Sequence, residues 1–178
     1  MGKNCINVGL KGKGIIFLGA LLLLLGVGGI AEAGGENLVT NPGLEIDADG
    51  NGIPDKWNLT PINGGVGKME EEGHEGKFCM VFDCPGGSAD CWFIQKITLK
   101  TNTDYTLSFW YKTKRDDPWG KSVIFLDKEV ALRDALGWTK HVFTMNSGNK
   151  TETELQFVLY HRNARFYIDE VKLEDGKE

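Results

Sequence analysis

The stretch DYTLSFWYKT, residues 104–113, decides the fold class of this chain. Its large apolar side chains alternate with smaller or polar ones, so that Tyr105, Leu107, Phe109 and Tyr111 share one face of an extended strand. Alternation with a period of two is typical of a strand that buries one face. The segment therefore predicts a strand that covers a hydrophobic core.

Similar short runs recur on both sides of this strand, and none has the length and spacing of an amphipathic helix. They are rich in β-branched and aromatic residues, which favour strands, and turn-forming Gly, Asn, Asp and Pro lie between them. The runs are 77–83, 91–99, 121–127, 139–145, 153–161 and 164–174. Strands at this spacing without intervening helices predict an all-β, antiparallel jelly-roll sandwich. The glycine-rich segment 63–76 predicts a surface loop with room for one short strand.

The N-terminal segment has the pattern of a signal peptide. Three lysines lie within the first 13 residues, an apolar run follows from Ile15 to Ile30, and Ala31-Glu32-Ala33 comes next. We expect cleavage after Ala33, which removes residues 1–33 and leaves one secreted domain, residues 34–178. An uncleaved membrane anchor is the alternative, although the run is shorter than the ~20 residues that a spanning helix needs. Both interpretations place the domain outside the cell, either secreted or at the cell surface.

The charge balance excludes some classes of partner. The whole chain has a net charge of −5, and removal of residues 1–33 makes it −7. Nucleic acids and anionic membranes are bound through basic patches, so neither is expected as a partner. A neutral saccharide is compatible with this charge. We expect the domain to be a monomer.

Three cysteines follow the predicted cleavage site: Cys79, Cys84 and Cys91. Export permits disulfide bonds. Cys84 and Cys91 flank the turn-like segment PGGSAD, so we predict that they face each other at the mouth of a hairpin and form a bridge, with Cys79 buried and free. A Cys79–Cys91 bridge and the absence of any bridge are the alternatives.

Alternation also identifies an outer face with unusual chemistry. Trp110 faces away from the predicted core side of 104–113, and Gln156 and Tyr160 do the same in 153–161. Aromatic rings pack against the C–H face of a pyranose, and amides bond its hydroxyl groups. The pattern therefore predicts a sugar-binding face. The alternative is that Trp110 only covers the edge of the sandwich.

The order of the motifs resembles that of the jelly-roll carbohydrate-binding modules of families 4, 9, 16 and 22. The motifs are NLVTNPGLE (37–45), PDKW (54–57), HEGKFCMVFD (74–83), QKITLKTNTDYTLSFWYKT (95–113), LGWTKHVFTM (136–145) and ELQFVLYHRNARFYIDEVKLE (154–174). Together they cover nearly the whole predicted domain. Two departures from the family pattern are Leu44, where a Phe is usual, and Asp169-Glu170, where two aspartates are usual.

The resemblance implies further ligand-binding residues. Trp57 matches the position of a family tryptophan after the N-terminal loop, with packing as the alternative role. Gln95 falls where family members carry a polar group on a strand, and Trp119 is a candidate at the rim. Trp138 matches a position that packs the edge of the sandwich.

Two calcium sites are expected as alternatives. The segment DADGNGIPD, from Asp47 to Asp55, alternates oxygen-bearing side chains with glycine, as loops that wrap Ca²⁺ do. The resemblance implies a different, structural calcium that ties the N-terminal segment to the last strand through Glu45 and Asp169, and this is the preferred site. A solvated acidic turn without metal is the remaining alternative.

The sequence has no recognisable catalytic pattern. Its serines and histidines lack the spacing of a nucleophile with its base, and it contains no glycine-rich phosphate loop. We therefore predict a non-catalytic module that binds polysaccharide or oligosaccharide. A structural or adhesive domain without sugar affinity is one alternative. A small glycoside hydrolase or lyase is another, because the chain has enough acids to form a carboxylate pair.

Overall fold

The computed structural model describes residues 35–85, 87–114, 120–160 and 163–176, which all belong to one compact unit. The predicted signal peptide, residues 1–33, lies outside them. No helix in these ranges is long and apolar enough to cross a membrane. The strands are β1 (Asn58–Ile62), β2 (Val66–Glu70), β3 (Cys79–Pro85), β4 (Asp90–Thr98), β5 (Asp104–Lys114), β6 (Lys121–Phe125), β7 (Lys128–Ala131), β8 (Thr139–Asn146), β9 (Glu152–Leu159) and β10 (Asn163–Asp175).

These strands form two five-stranded sheets. Sheet A has the order β1-β4-β9-β6-β7, and sheet B has the order β2-β3-β10-β5-β8. All of their pairings are antiparallel. Most connections carry the chain from one sheet to the other, so that strands adjacent in sequence often lie in different sheets. The predicted all-β, antiparallel sandwich is confirmed.

Aromatic rings from both sheets meet in the core. Phe109 of sheet B makes an edge-on contact with Phe157 of sheet A, with ring centroids 4.9 Å apart. Phe82 of sheet B meets Phe93 of sheet A in the same way at 5.6 Å. Edge-on packing suits the ring quadrupoles, and all four rings are fully buried. The residues predicted to form the inner face of 104–113 are buried as well, which confirms that alternation identified the core side.

Two strands were missed by the sequence-based prediction, and both lie at edges of sheet A. β1 contains Pro61 and is mostly exposed, so it has neither a strong apolar period nor a high strand propensity. β7 follows β6 through a two-residue turn in which Leu126 and Asp127 have φ angles of 53° and 61°. Two consecutive left-handed residues are typical of a tight hairpin turn. The turn was missed in the sequence because an apolar residue, Leu126, occupies a position where Asn, Asp or Gly is usual. The short strand expected within 63–76 is β2.

The segment before β1 is held against the last strand. The Leu38 amide donates to the Leu173 carbonyl at 2.8 Å, and the Val171 amide donates to the Pro42 carbonyl at 2.9 Å. The register of β10 with β5 shifts between Asp169 and Lys172, which marks a bulge. These contacts bring the segment around Pro42 and Gly43 close to Glu170 in the middle of β10.

Candidate functional site

The predicted sugar-binding residues lie on opposite surfaces of the sandwich. Trp110 belongs to β5 in sheet B, whereas Gln156 lies on β9 in sheet A and Tyr160 directly follows it. Alternation correctly placed all three side chains away from the core. It could not tell which sheet each strand joins, and the outer faces of the two sheets point in opposite directions. One ligand therefore cannot contact all three residues.

Two predicted ligand residues, Trp57 and Gln95, belong to the interior, and their assignment to a binding face is wrong. Trp57 is 5% exposed, and its ring stacks on Phe93 with centroids 4.3 Å apart. Gln95 is 4% exposed, and its amide forms two hydrogen bonds with the backbone of Thr40, at 2.8 and 2.9 Å. These side chains hold the N-terminal segment and the core together, so they are not available to a ligand.

Trp110 is half-buried beneath another ring. The His74 imidazole stacks on it with centroids 3.9 Å apart, and Trp138 meets His74 edge-on at 5.7 Å. One face of the Trp110 ring is therefore already covered by the protein, which weakens its case as a sugar platform. Trp138 also packs on Tyr167, as expected for a structural residue. Trp119 lies outside the described residues.

The outer face of sheet A is a better candidate, and the sequence-based prediction missed its central residue, Trp92. Trp92 lies opposite Val158 on β9, and Ile94 lies opposite Gln156. Gln156 in turn lies opposite Ile124 on β6. Phe93 points into the core, so its neighbours in β4 point outward. The alternation of run 91–99 already contained this signal.

Trp92 and Tyr160 form an aromatic corner on this face. Their ring centroids are 5.6 Å apart, and their planes are nearly perpendicular, at 88°. Both residues are half-buried, so each ring keeps part of its surface in solvent. Burial, with the nearby Glu129 carboxylate, raises the pKa of Tyr160, which keeps the phenol protonated. The Ser122 hydroxyl donates to Glu129 at 2.7 Å, so it is engaged by a carboxylate.

Two polar atoms on this face are buried without a hydrogen-bond partner among the described residues: the indole Nε1 of Trp92 and the amide Oε1 of Gln156. The other amide atom of Gln156 donates to Glu154 at 2.9 Å. A buried donor or acceptor left unpaired costs free energy, on the order of 1–3 kcal/mol. A ligand that supplies an acceptor for Trp92 and a donor for Gln156 would recover this cost.

The same strand pair continues into a charged groove. Lys96 lies opposite Glu154, and Thr98 lies opposite Glu152. A groove of about 230 Å³ is lined by these residues near the ends of β4 and β9. Along this strand pair the outer face therefore changes from aromatic and aliphatic at Trp92 to charged at Lys96.

The carboxylates of Glu45 and Asp169 both hold the loop 74–78. Glu45 Oε1 accepts the amides of Lys77 and Phe78 at 2.7 and 2.8 Å. Asp169 Oδ2 accepts the amides of His74 and Glu75 at 2.6 and 3.3 Å. The two acids thus meet the same loop, as shared calcium ligands would. These two oxygens therefore already accept peptide N–H groups, as the carboxylates of the acidic loop do.

The acidic loop offers a closer set of ligands. Oxygen atoms of Asp47, Asp49 and Asp55 all lie within 4.8 Å of one another. The loop is shaped by its own hydrogen bonds, from the Gly52 amide to Asp47 at 2.8 Å and from the Ala48 amide to Asp55 at 3.1 Å. Three converging carboxylates fit the hard-cation chemistry of calcium better than the Glu45–Asp169 pair.

The three cysteines in the described residues, Cys79, Cys84 and Cys91, are buried, free thiols. The sulfur atoms of Cys84 and Cys91 are 3.6 Å apart, farther than the ~2.05 Å of a disulfide bond, so the predicted bridge is not formed in this structure. The expected hairpin is also wrong, because β3 and β4 belong to different sheets. Cys79 is separate, on the outer side of β3, where burial and the Asp169 charge raise its pKa to about 12.

Comparison with known proteins identifies the fold. No protein-family model and no curated protein matches the sequence. The enzymatically active domain of tailspike protein 4 from bacteriophage CBA120 superimposes with a TM-score of 0.61 at 16% identity, over 79% of this chain and 21% of that chain. A family 61 carbohydrate-binding module, solved with β-1,4-galactotriose, gives 0.59 at 18% identity over 79% and 99%. A family 16 module gives 0.56 at 22% identity over 77% and 99%.

The chain therefore has the β-sandwich fold of carbohydrate-binding modules, as its motifs predicted. It spans about a fifth of the tailspike chain and almost the whole length of each module. Identities this low establish the fold alone.

Proposed function

We propose that this protein is a secreted, non-catalytic module that binds polysaccharide or oligosaccharide chains on the outer face of sheet A. The observation that carries the proposal is the right-angled pair Trp92–Tyr160, which lies beside aliphatic side chains and two unpaired hydrogen-bonding atoms. Export is part of the proposal and rests on the N-terminal signal motif.

The chemistry of this face suits a sugar. The half-exposed indole of Trp92 offers a surface for the C–H face of a pyranose, and the Tyr160 ring lies beside it with its plane nearly perpendicular to the indole. Trp92 Nε1 would donate to a hydroxyl oxygen, and Gln156 Oε1 would accept a hydroxyl proton. The same hydroxyl groups would satisfy both buried atoms, which favours a saccharide over a purely apolar ligand.

The similar structures support binding without catalysis. Two are named as carbohydrate-binding modules, one of them solved with a galactotriose, and this chain matches nearly their full length. The tailspike domain is named as enzymatically active, but the shared fold spans only 21% of it. A binding module is therefore the function that the fold and the face favour together.

The direct test is a binding screen of the purified protein against soluble neutral glycans, including β-1,4-galactan, by affinity electrophoresis and calorimetry. We expect Trp92→Ala to weaken binding at least roughly tenfold, because buried aromatic anchors dominate such interfaces. Trp110→Ala on the opposite sheet is the matched control and should bind like the wild type.

Three results would contradict the proposal. If no glycan binds, the protein has a structural or adhesive role instead. If Trp110→Ala abolishes binding and Trp92→Ala does not, the ligand lies on sheet B. Release of reducing ends from a bound glycan would identify an enzyme.

We also propose that calcium stabilises the fold. The convergence of Asp47, Asp49 and Asp55 supports the acidic loop as its site, in preference to Glu45 and Asp169. At the acidic loop the ion would fix a segment beside β2, and at Glu45 and Asp169 it would fix the loop 74–78 beside β10; in neither place would it take part in catalysis.

A further inference from the structure

A second groove lies on sheet B, on the side of the sandwich opposite Trp92. Its volume is about 390 Å³, within the range of sites for small ligands. Three neighbouring strands line it: β2 with Val66, Lys68 and Glu70, β3 with Val81 and Asp83, and β10 with Arg165. Regular strands form its floor and walls, so the groove is built on rigid elements.

The side chains in this groove offer both apolar surface and charge. Val66 and Val81 are apolar, while Lys68 and Arg165 both pair with one carboxylate, that of Glu70. The side chain of Lys68 is 61% exposed, and its nitrogen lies 3.3 Å from Glu70, so its ammonium group remains accessible to a ligand.

Arg165 carries an unsatisfied donor. Its terminal nitrogen pairs with Glu70, and its guanidinium lies over the Tyr167 ring, 5.3 Å from the centroid. Its Nε is buried and has no hydrogen-bond partner among the described residues. A guanidinium can donate five hydrogen bonds, and an unpaired buried donor is costly. The missing partner must be an acceptor.

The surrounding charges favour an anionic acceptor. Lys112 and Lys114 also lie over the Tyr167 ring, at 4.6 and 5.0 Å, and both pair with Glu72. Four cationic side chains (Lys68, Lys112, Lys114, Arg165) therefore cluster with three acidic ones (Glu70, Glu72, Asp83). The groove lining itself has two cations, Lys68 and Arg165, and two acids, Glu70 and Asp83, and the additional positive charge comes from Lys112 and Lys114, which lie beside it at the Tyr167 ring.

We propose that this groove binds the carboxylate of an acidic sugar, a uronate, as a second site distinct from the neutral-sugar face of sheet A. The carboxylate would accept from Arg165 Nε and from the Lys68 ammonium, while the sugar ring packs against the exposed side chain of Val66. Charge-assisted bonds of this kind are the strong ones. The inference does not depend on the proposed function, because the two sites share no residue.

The test is a titration of the purified protein with tetragalacturonate, followed by calorimetry and by the NMR signal of the Arg165 side-chain N–H. Methyl-esterified tetragalacturonate has the same ring structure without the charge and should bind at least roughly tenfold more weakly. We expect Lys68→Gln to weaken binding of the acid roughly fivefold. Arg165→Lys removes the planar guanidinium and should weaken binding more than roughly tenfold. The Arg165 N–H signal should shift during the titration.

Two variants serve as controls. Lys100→Gln removes an exposed positive charge from the loop between β4 and β5, and Trp92→Ala removes the aromatic ring from the outer face of sheet A; both variants should bind the acid like the wild type. Because Lys68 is exposed, Lys68→Gln keeps the test valid if Arg165→Lys fails to fold. The proposal is overturned if the acid does not bind, if the ester binds equally well, if Lys68→Gln has no effect, or if Trp92→Ala abolishes binding.

Discussion

Cys84 and Cys91 place their sulfur atoms 3.6 Å apart in the interior of the sandwich, one on β3 in sheet B and the other on β4 in sheet A. Both side chains are fully buried, and Cys91 also contacts the Val66 carbonyl at 3.3 Å. A small movement would bring the sulfur atoms to bonding distance. The resulting bond would then tie the two sheets together.

We predict that Cys84 and Cys91 form a disulfide when the protein folds under oxidising conditions. Closure of this short loop should stabilise the fold by about 2–3 kcal/mol, which is observable as a higher Tm than in reducing buffer. Peptide mapping after alkylation in denaturant should find Cys79 as a free thiol. Cys79→Ala is the control and should keep the redox-dependent shift, whereas a bridge that contains Cys79 would contradict the prediction.

Truncation of Trp57 should lower the free energy of unfolding far more than truncation of Trp92. Trp57→Ala removes a ring that is stacked in the core, so we expect a loss of about 3–5 kcal/mol in the free energy of unfolding. Trp92→Ala removes a half-exposed ring and should cost much less. Urea denaturation of both variants measures the difference. Equal losses would mean that Trp92 supports the fold and does not serve as an open platform.

Calcium should raise the Tm, and the acidic loop should be responsible. At a free concentration about 100 times its Kd, a ligand that binds only the folded state stabilises it by about 2.7 kcal/mol. Asp49→Asn should abolish the calcium-dependent shift, because it weakens the three-carboxylate cluster. Glu45→Gln is the comparison: it can lower the Tm by itself, but its response to calcium should be preserved. Loss of the response only in Glu45→Gln would assign the ion to Glu45 and Asp169.

The stability should also depend on pH through His141. This imidazole packs among the rings of Phe109, Tyr111 and Phe143, and its buried Nε2 has no hydrogen-bond partner within the described part of the chain. Burial lowers the pKa of His141, so the unfolded chain binds the proton more tightly than the folded protein does. Stability is therefore lost as the pH falls below about 6.5, the ordinary histidine value.

The matched variant for this prediction is His141→Phe, which keeps a ring at this position and cannot titrate. Thermal melts of both proteins between pH 7.5 and pH 5 should diverge, with the wild type losing more Tm at the acidic end. Parallel curves would show that His141 makes no contribution to the pH dependence.

Individual residues show what the alternation of apolar and polar residues can predict and what it cannot. Alternation correctly assigned Leu107 and Phe157 to the core, because side-chain direction in a strand follows from backbone geometry alone. Alternation gave no information on Trp57, because this residue lies just before β1, where no period of two exists, and only the resemblance placed it on a binding face. The resemblance to known modules likewise placed Gln95 on a binding face, because it could not foresee the hydrogen bonds to Thr40.

The amino-acid sequence by itself determined the class of the fold and the inner side of its main strands, because both depend on sterics and hydrophobic burial within a few residues. Tertiary structure alone decided which strands share a sheet. That choice separated Trp110 from Gln156, joined Trp92 to Tyr160 and brought Cys84 to Cys91. The reason is physical: pairing between β4 and β9 joins residues about 60 positions apart, and it is selected by packing of the whole sandwich.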